Sequence, residues 1–187
     1  MSDPTNTRAP SLDALRDLIH REQSNRAGAS SNPAQKIVAT RDGRLITGDQ
    51  AANQPVTTVQ TDTFAYPNLS RDRDYAITHM PPGTVEVTLS GVTGWRYAFI
   101  NEYGEPFDMF AFYDGSYYQV LLLQPELEAR WMSPHTGHIY SDGRICFGTS
   151  YNSGRKTLGE AYAKSVLWAT GITVALQGFP FPWNVNQ

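Results

Sequence analysis

Residues 133–148 read Ser133-Pro134-His135-Thr136-Gly137-His138-Ile139-Tyr140-Ser141-Asp142-Gly143-Arg144-Ile145-Cys146-Phe147-Gly148. Ser141-Asp142-Gly143 is a turn signal: an Asp side chain accepts from backbone amides just ahead of it, and Gly takes positive φ without a Cβ clash. The chain therefore reverses shortly before Cys146, its only cysteine. Gly143 and Gly148 bracket that residue, and their lack of side chains lets another chain approach the backbone closely. A single cysteine has no partner for an internal disulfide and excludes a multi-cysteine zinc site. It also suits an interior where thiols stay reduced. A lone cysteine is most often a small buried apolar residue, so its role depends on its surroundings.

Upstream, strand signals are dense. Thr84-Val85-Glu86-Val87-Thr88-Leu89 alternates apolar and polar, and Trp95 to Ile100 is aromatic and apolar. Phe107 to Tyr113 follows the Glu102-Tyr103-Gly104-Glu105-Pro106 turn, and Asp114-Gly115-Ser116 separates it from Tyr117 to Leu123. Four short strands joined by tight turns predict an antiparallel meander. Downstream, Thr157-Leu158-Gly159-Glu160 has the form of a capping box, in which hydroxyl and carboxylate satisfy each other's backbone amides. Leu158, Tyr162, Ser165 or Val166, Ala169, Ile172 or Thr173, and Leu176 then share one face of a helix that Gly178 and Pro180 end. Gly171, unfavourable inside a helix by about 1 kcal/mol against Ala, points to close packing there. The order of strands, irregular segment and helix predicts an α+β fold.

The N-terminal part is sparser. Ser11 to His20 predicts a short helix with Leu12, Leu15, Leu18 and Ile19 on one stripe, and Ser24 to Pro33 reads as a linker. Ile37 to Thr40 and Leu45 to Thr47 flank Arg41-Asp42-Gly43-Arg44, a hairpin signal. Residues 1–55 are therefore expected to form an extension (helix, linker, hairpin) and residues 56–187 the main domain. His79, before Pro81-Pro82, is read as structural. Phe112, Tyr113, Tyr117 and Tyr118 are read as sheet packing first and a partner surface second.

Composition narrows the function classes. The 187 residues carry a formal charge of −3 and are 40% hydrophobic and 12% aromatic; that aromatic content argues against disorder for most of the chain. No basic cluster of the kind nucleic-acid binding requires is present. The first residues lack a secretion signal's basic start and apolar stretch. Val166 to Leu176 is too short to span a bilayer. The expectation is a cytoplasmic protein that binds neither nucleic acid nor membrane.

The segment Ile139 to Cys146 resembles the active-site run of ubiquitin-conjugating (E2) enzymes, which carry a His-Pro-Asn motif, a turn with Asp-Gly or Asn-Gly, and an Ile-Cys-Leu-like stretch. The motif's asparagine lies eight residues before the nucleophile, where this chain has His138. A four-stranded meander before the motif fits. So does a helix about a dozen residues past the cysteine, near Thr157, ending in a proline-rich loop like Phe179 to Trp183. The likeness spans roughly residues 84–184 in layout and 138–148 in detailed sequence.

The departures are specific. Thr136-Gly137-His138 replaces His-Pro-Asn, and Gln124-Pro125-Glu126 is the nearest remnant of the family's Tyr-Pro and Pro-Pro pattern. The family's last two helices and the acidic residue of its tail loop are missing. These losses resemble bacterial E2-like proteins that sit beside E1-like, ubiquitin-like and peptidase partners in defence-type operons.

The resemblance implies an E2 (UBC-like) fold with a truncated C-terminus. It implies that Cys146 accepts a ubiquitin-like protein from an E1-like enzyme as a thioester and passes it to a protein acceptor, with no cofactor. Exchange between thioesters needs no strongly activating base. The slow amine attack is helped by a donor near the oxyanion, typically by about 3 kcal/mol. His138 takes that role or only pins the loop; both remain open. Arg144 shares the face of Cys146 if the segment is extended, and either favours the thiolate or is simply solvated.

Other functions stay open too: a non-catalytic module that binds ubiquitin-like proteins, a hydrolase dyad of Cys146 with His135 or His138, and a zinc site of His135, His138 and Cys146. A dyad needs a third group to orient its base. The zinc set offers only three ligands.

Overall fold

The computed structural model describes residues 37–47, 56–58, 69–148 and 153–182. Its elements run β1 (Ile37–Thr40), β2 (Leu45–Thr47), β3 (Val56–Thr58), α1 (Leu69–His79), β4 (Val85–Leu89), β5 (Val92–Ile100), β6 (Pro106–Tyr113), β7 (Tyr118–Gln124), a short 3-10 turn (Ala129–Trp131) and α2 (Leu158–Leu176). The expected helix at Ser11–His20, the linker after it and the last residues of the aromatic tail lie outside the described residues. The described chain is α+β.

The predicted meander is present as a four-stranded antiparallel sheet in the order β4-β5-β6-β7. Each strand lies within a few residues of its expected bounds. The period-two rule is plainest in β5, where Trp95, Tyr97 and Phe99 are buried and Arg96, Ala98 and Ile100 are exposed. A pleated strand sends alternate side chains to opposite faces. The aromatic face meets α2: the Tyr97 and Tyr162 rings approach edge-on at 5.5 Å between centroids, and Phe107 and Trp168 at 6.2 Å.

Helix α2 begins as predicted. The Thr157 hydroxyl accepts from the Glu160 amide at 3.1 Å, and the Glu160 carboxylate accepts from the Thr157 amide at 3.1 Å. A cap of this kind is worth about 1 kcal/mol. Its burial differs from the single stripe read in the sequence. From Leu158 to Ala175 every residue but Lys164 is buried, while Leu176 is exposed. The helix packs on β6 and β7 on one side and on α1, β1 and β3 on another. Small residues make that possible: a Cβ on Gly159 would come within 2.9 Å of the Tyr75 ring of α1. The buried hydroxyls of Ser165, Thr170 and Thr173 are satisfied within the helix by the carbonyls of Tyr162, Val166 and Ala169, which is how a polar side chain tolerates such a position.

Helix α1 was not read from the sequence. Its segment, Arg71-Asp72-Arg73-Asp74-Tyr75-Ala76 and beyond, offers no apolar period; Asp72 and Ala76 are its buried residues between Arg71 and His79. Tertiary bonds hold it instead. Tyr118 donates to the Asp72 carboxylate at 2.6 Å, and Arg73 pairs with Glu86 of β4 at 2.7 Å. His79 stacks on Tyr75 one turn back, at 4.9 Å between centroids.

The β1–β2 hairpin forms as expected, with Gly43 at φ +87°. It belongs to a second sheet, ordered β2-β1-β3, in which β1 pairs with Val56–Thr58 across position 55. Ala39 and Leu45 lie in the same apolar core as the meander. Polar ties join the hairpin to the rest of the described fold: Tyr162 Oη of α2 donates to Thr40 O at 2.7 Å, Leu45 N donates to Glu102 in the β5–β6 turn at 3.3 Å, and Arg41 donates to the carbonyls of Ile77 and Met80 at the end of α1. A cation at a helix C-terminus is favourable because the last carbonyls lack helical partners. Among the described residues no helix is long and apolar enough to cross a membrane.

Candidate active site around Cys146

The loop after β7 is fixed by Gly137. A Cβ there would lie 2.1 Å from the Trp131 carbonyl oxygen, so only glycine fits. The Gly137 carbonyl accepts from Trp168 Nε1 of α2 at 2.8 Å. His138 follows in the left-handed region at φ +51°, where histidine is more common than most residues with a Cβ. That bend turns the His138 carbonyl to accept from the Cys146 amide at 2.8 Å.

A tight hairpin lies between those two residues. Ile139 and Ile145 are bridged and almost fully buried. Tyr140 N donates to Arg144 O at 2.8 Å and Gly143 N to Tyr140 O at 2.9 Å, with Gly143 at φ +86°. The Asp142 carboxylate accepts from Arg144 N at 3.1 Å, the Asx bond expected of such a turn. The hairpin docks on the free edge of β7 through Leu122 N to Gly143 O at 2.9 Å and Ile145 N to Val120 O at 2.8 Å. Cys146 thus leaves a rigid backbone frame.

The thiol itself is enclosed. Cys146 is 4% exposed, and its Sγ donates toward Gly148 O at 3.2 Å and contacts Tyr140 Oη at 3.4 Å. Arg144 pairs with Asp142 at 2.7 Å and lies over the Tyr140 ring, so its charge is engaged by its own turn. Phe147 is buried; its carbonyl accepts from Arg155 Nη2, and the guanidinium lies over its ring.

His138 is buried, its ring meets Phe181 edge-on at 4.4 Å, and its Nδ1 has no hydrogen-bond partner among the described residues. Burial pushes the imidazole below its ordinary value of 6.5, and His135 adds to the shift. A neutral ring keeps one N–H donor, which suits donation to a developing negative charge better than cationic attraction. His135 is exposed. Among the described residues no group of three or more His, Cys, Asp or Glu is arranged to hold a metal.

Of the site residues expected from sequence, the fold therefore brings Cys146 and His138 together through their backbones. Tyr140 and Arg155 were missed as neighbours of the thiol segment. Tyr140 was legible in principle, since a turn at 141–143 makes residues 140 and 144 cross-strand partners. Arg155 carried no local signal. No protein-family model, curated protein or solved structure matches the chain.

Proposed function

We propose that the protein is an E2-like acyl carrier, taking a ubiquitin-like protein from an E1-like enzyme as a thioester on Cys146 and passing it to a protein acceptor. One observation carries the reading. The cysteine leaves a glycine-turn hairpin pinned to the edge of a four-stranded meander and runs toward a capped helix, the order that the resemblance implies for an E2 nucleophile. In the exchange, Cys146 sulfur bonds to the acyl carbon as the donor enzyme's sulfur leaves, and the thiol proton passes to the departing thiolate. His138 is the candidate donor to the oxyanion in the later amine attack. Such a thiol must stay reduced, in keeping with a cytoplasmic setting.

The test replaces Cys146 by lysine and incubates the full chain with a candidate E1-like enzyme, ATP and a ubiquitin-like protein. An amide-linked product at residue 146 is expected, stable to thiol reductant, whereas the wild-type adduct is released by reductant.

A second reading, a non-catalytic module that binds the ubiquitin-like protein, is favoured by the 4% exposure of Cys146. Under it, Cys146→Ala leaves association unchanged and wild type forms no covalent species. That result would sink the carrier assignment.

A further inference from the structure

We propose that the Tyr140 hydroxyl is the group that holds the Cys146 sulfur in its ionised form, the form that attacks an acyl carbon and later leaves it. The proposal rests on the acyl-carrier reading for the reaction it serves, and on the hairpin's geometry for the contact itself.

The hairpin brings the two side chains together. Ile139 and Ile145 are bridged and belong to the apolar core, so by the period-two rule Tyr140, Arg144 and Cys146 take the opposite face. Tyr140 and Arg144 are paired across the strands, and Cys146 lies one step further on, diagonal to Tyr140. A diagonal neighbour is beyond most side chains but within reach of an aromatic one. The phenol oxygen accordingly ends 3.4 Å from Cys146 Sγ. The same ring carries the Arg144 guanidinium, 5.6 Å from its centroid.

A neutral thiol has one proton, and two acceptors stand beside it: Gly148 O at 3.2 Å and Tyr140 Oη at 3.4 Å. They differ once that proton leaves. A carbonyl has no proton to return and sets its negative end against the new charge. A phenol hydroxyl rotates and donates, and a bond to an ionised acceptor is the stronger class. The guanidinium over the ring draws electron density from it, which makes the hydroxyl a better donor. Tyr140 therefore serves both forms of the sulfur, and Gly148 only the neutral one. The phenol keeps its proton, because at an ordinary value of about 10 it is a weaker acid than a thiol at about 8.5. In acyl release the amine nitrogen bonds to the acyl carbon and loses a proton to solvent. The carbon–sulfur bond breaks, and the sulfur keeps the electron pair under the Tyr140 hydrogen bond.

The experiment titrates the thiolate by its ultraviolet absorbance in the full chain, each protein corrected by its own Cys146→Ala counterpart so that phenol ionisation cancels. Tyr140→Phe keeps the ring beneath Arg144 and loses only the hydroxyl. It leaves in place the other titratable and charged groups around the segment: Arg144 with Asp142, Asp114 in the β6–β7 turn, His138, and Arg155 on Phe147 O. The midpoint should rise by about one pH unit, since a bond to the charged form is lost, with the urea transition little moved. Thioester formation at neutral pH should slow only about threefold, because about tenfold less thiolate is partly offset by the greater nucleophilicity of a weaker acid. Should Tyr140→Phe not fold, 3-fluorotyrosine placed at position 140 decides: it keeps the hydroxyl and strengthens it as a donor, so the midpoint should fall below that of wild type. An unmoved midpoint in the protein that decides overturns the proposal. A shifted midpoint in a chain that forms no thioester with an E1-like enzyme, ATP and a ubiquitin-like protein sinks only the carrier reading. A thioester formed by a chain whose midpoint ignores Tyr140 sinks only the role of the hydroxyl.

Discussion

The turns Asp42-Gly43-Arg44 and Asp142-Gly143-Arg144 are built from the same three residues with nearly the same bonds. Gly43 sits at φ +87° and Gly143 at +86°. The residue before each Asp-containing loop closes it in the same way: Thr40 N bonds Arg44 O at 2.9 Å, and Tyr140 N bonds Arg144 O at 2.8 Å. Each arginine pairs with its own aspartate. What differs is the company each turn keeps. Thr40 turns its hydroxyl back to its own loop, bonding Arg44, and its carbonyl is sealed by Tyr162. Tyr140 instead accepts at its hydroxyl oxygen from the Cys146 thiol. The position matching Cys146 in the first hairpin is Ile46, in strand β2. One local geometry therefore serves as a structural corner in one place and as the frame of a candidate nucleophile in the other. Local sequence sets the turn; the surroundings set its use.

The glycines test this most severely. Alanine at either position must hold a left-handed backbone, at about 1–2 kcal/mol. At 43 the new Cβ would also lie 2.3 Å from the Phe99 ring, and forcing a packed core apart adds roughly 1–3 kcal/mol. At 143 its nearest neighbour would be the flexible Leu121 Cδ1 at 3.2 Å, with Leu122 O in ordinary contact at 3.6 Å. Gly43→Ala should therefore lower stability by about 2–5 kcal/mol and Gly143→Ala by about 1–2, measured by urea denaturation. Equal losses would erase the distinction between corner and frame.

A smaller effect separates the two regions by pH. His138 has its folded-state proton affinity reduced by burial, so the folded protein binds that proton only below the 6.5 at which the unfolded chain does. The unfolded state holds more protons in between, so the contribution of His138 to stability falls as pH drops below about 6.5. His138→Gln should flatten the decline in urea midpoint between pH 7 and pH 5 relative to wild type. Parallel curves would show that the ring escapes its buried setting on protonation.

The arginines give the smallest difference. Arg44 and Asp42 are 61% and 62% exposed, Arg144 only 17%. Arg44→Ala should change stability by no more than about 0.5 kcal/mol, in the range of exposed pairs. Arg144→Ala should lose more, up to about 1 kcal/mol, because its stem and ring contact go as well. Matching losses in thermal melts would mean that burial of the second pair contributes nothing.

Much of the fold was legible because its signals are local. The meander follows from alternation and tight turns, the start of α2 from Thr157 and Glu160, and both hairpins from their Asp-Gly pairs. Those patterns depend on residues within a few positions of one another, where backbone preference and hydrogen bonding act directly. The contact between His138 and Cys146 was half legible: the resemblance puts His138 where the family's motif asparagine stands, but the left-handed bend depends on Gly137 being wedged between Trp131 and Trp168.

Sequence alone thus determined the strands of the meander and of the β1–β2 hairpin, where the capped helix starts, and that the single cysteine follows a reversal of the chain. Tertiary structure alone decided that α1 is a helix, that α2 is enclosed on nearly every side, and that Cys146 is buried with its sulfur against Tyr140 Oη and Gly148 O. The reason is range. Burial and long side-chain bonds join residues far apart in the chain, such as Asp72 to Tyr118 and Tyr162 to Thr40, and no window of sequence contains both partners.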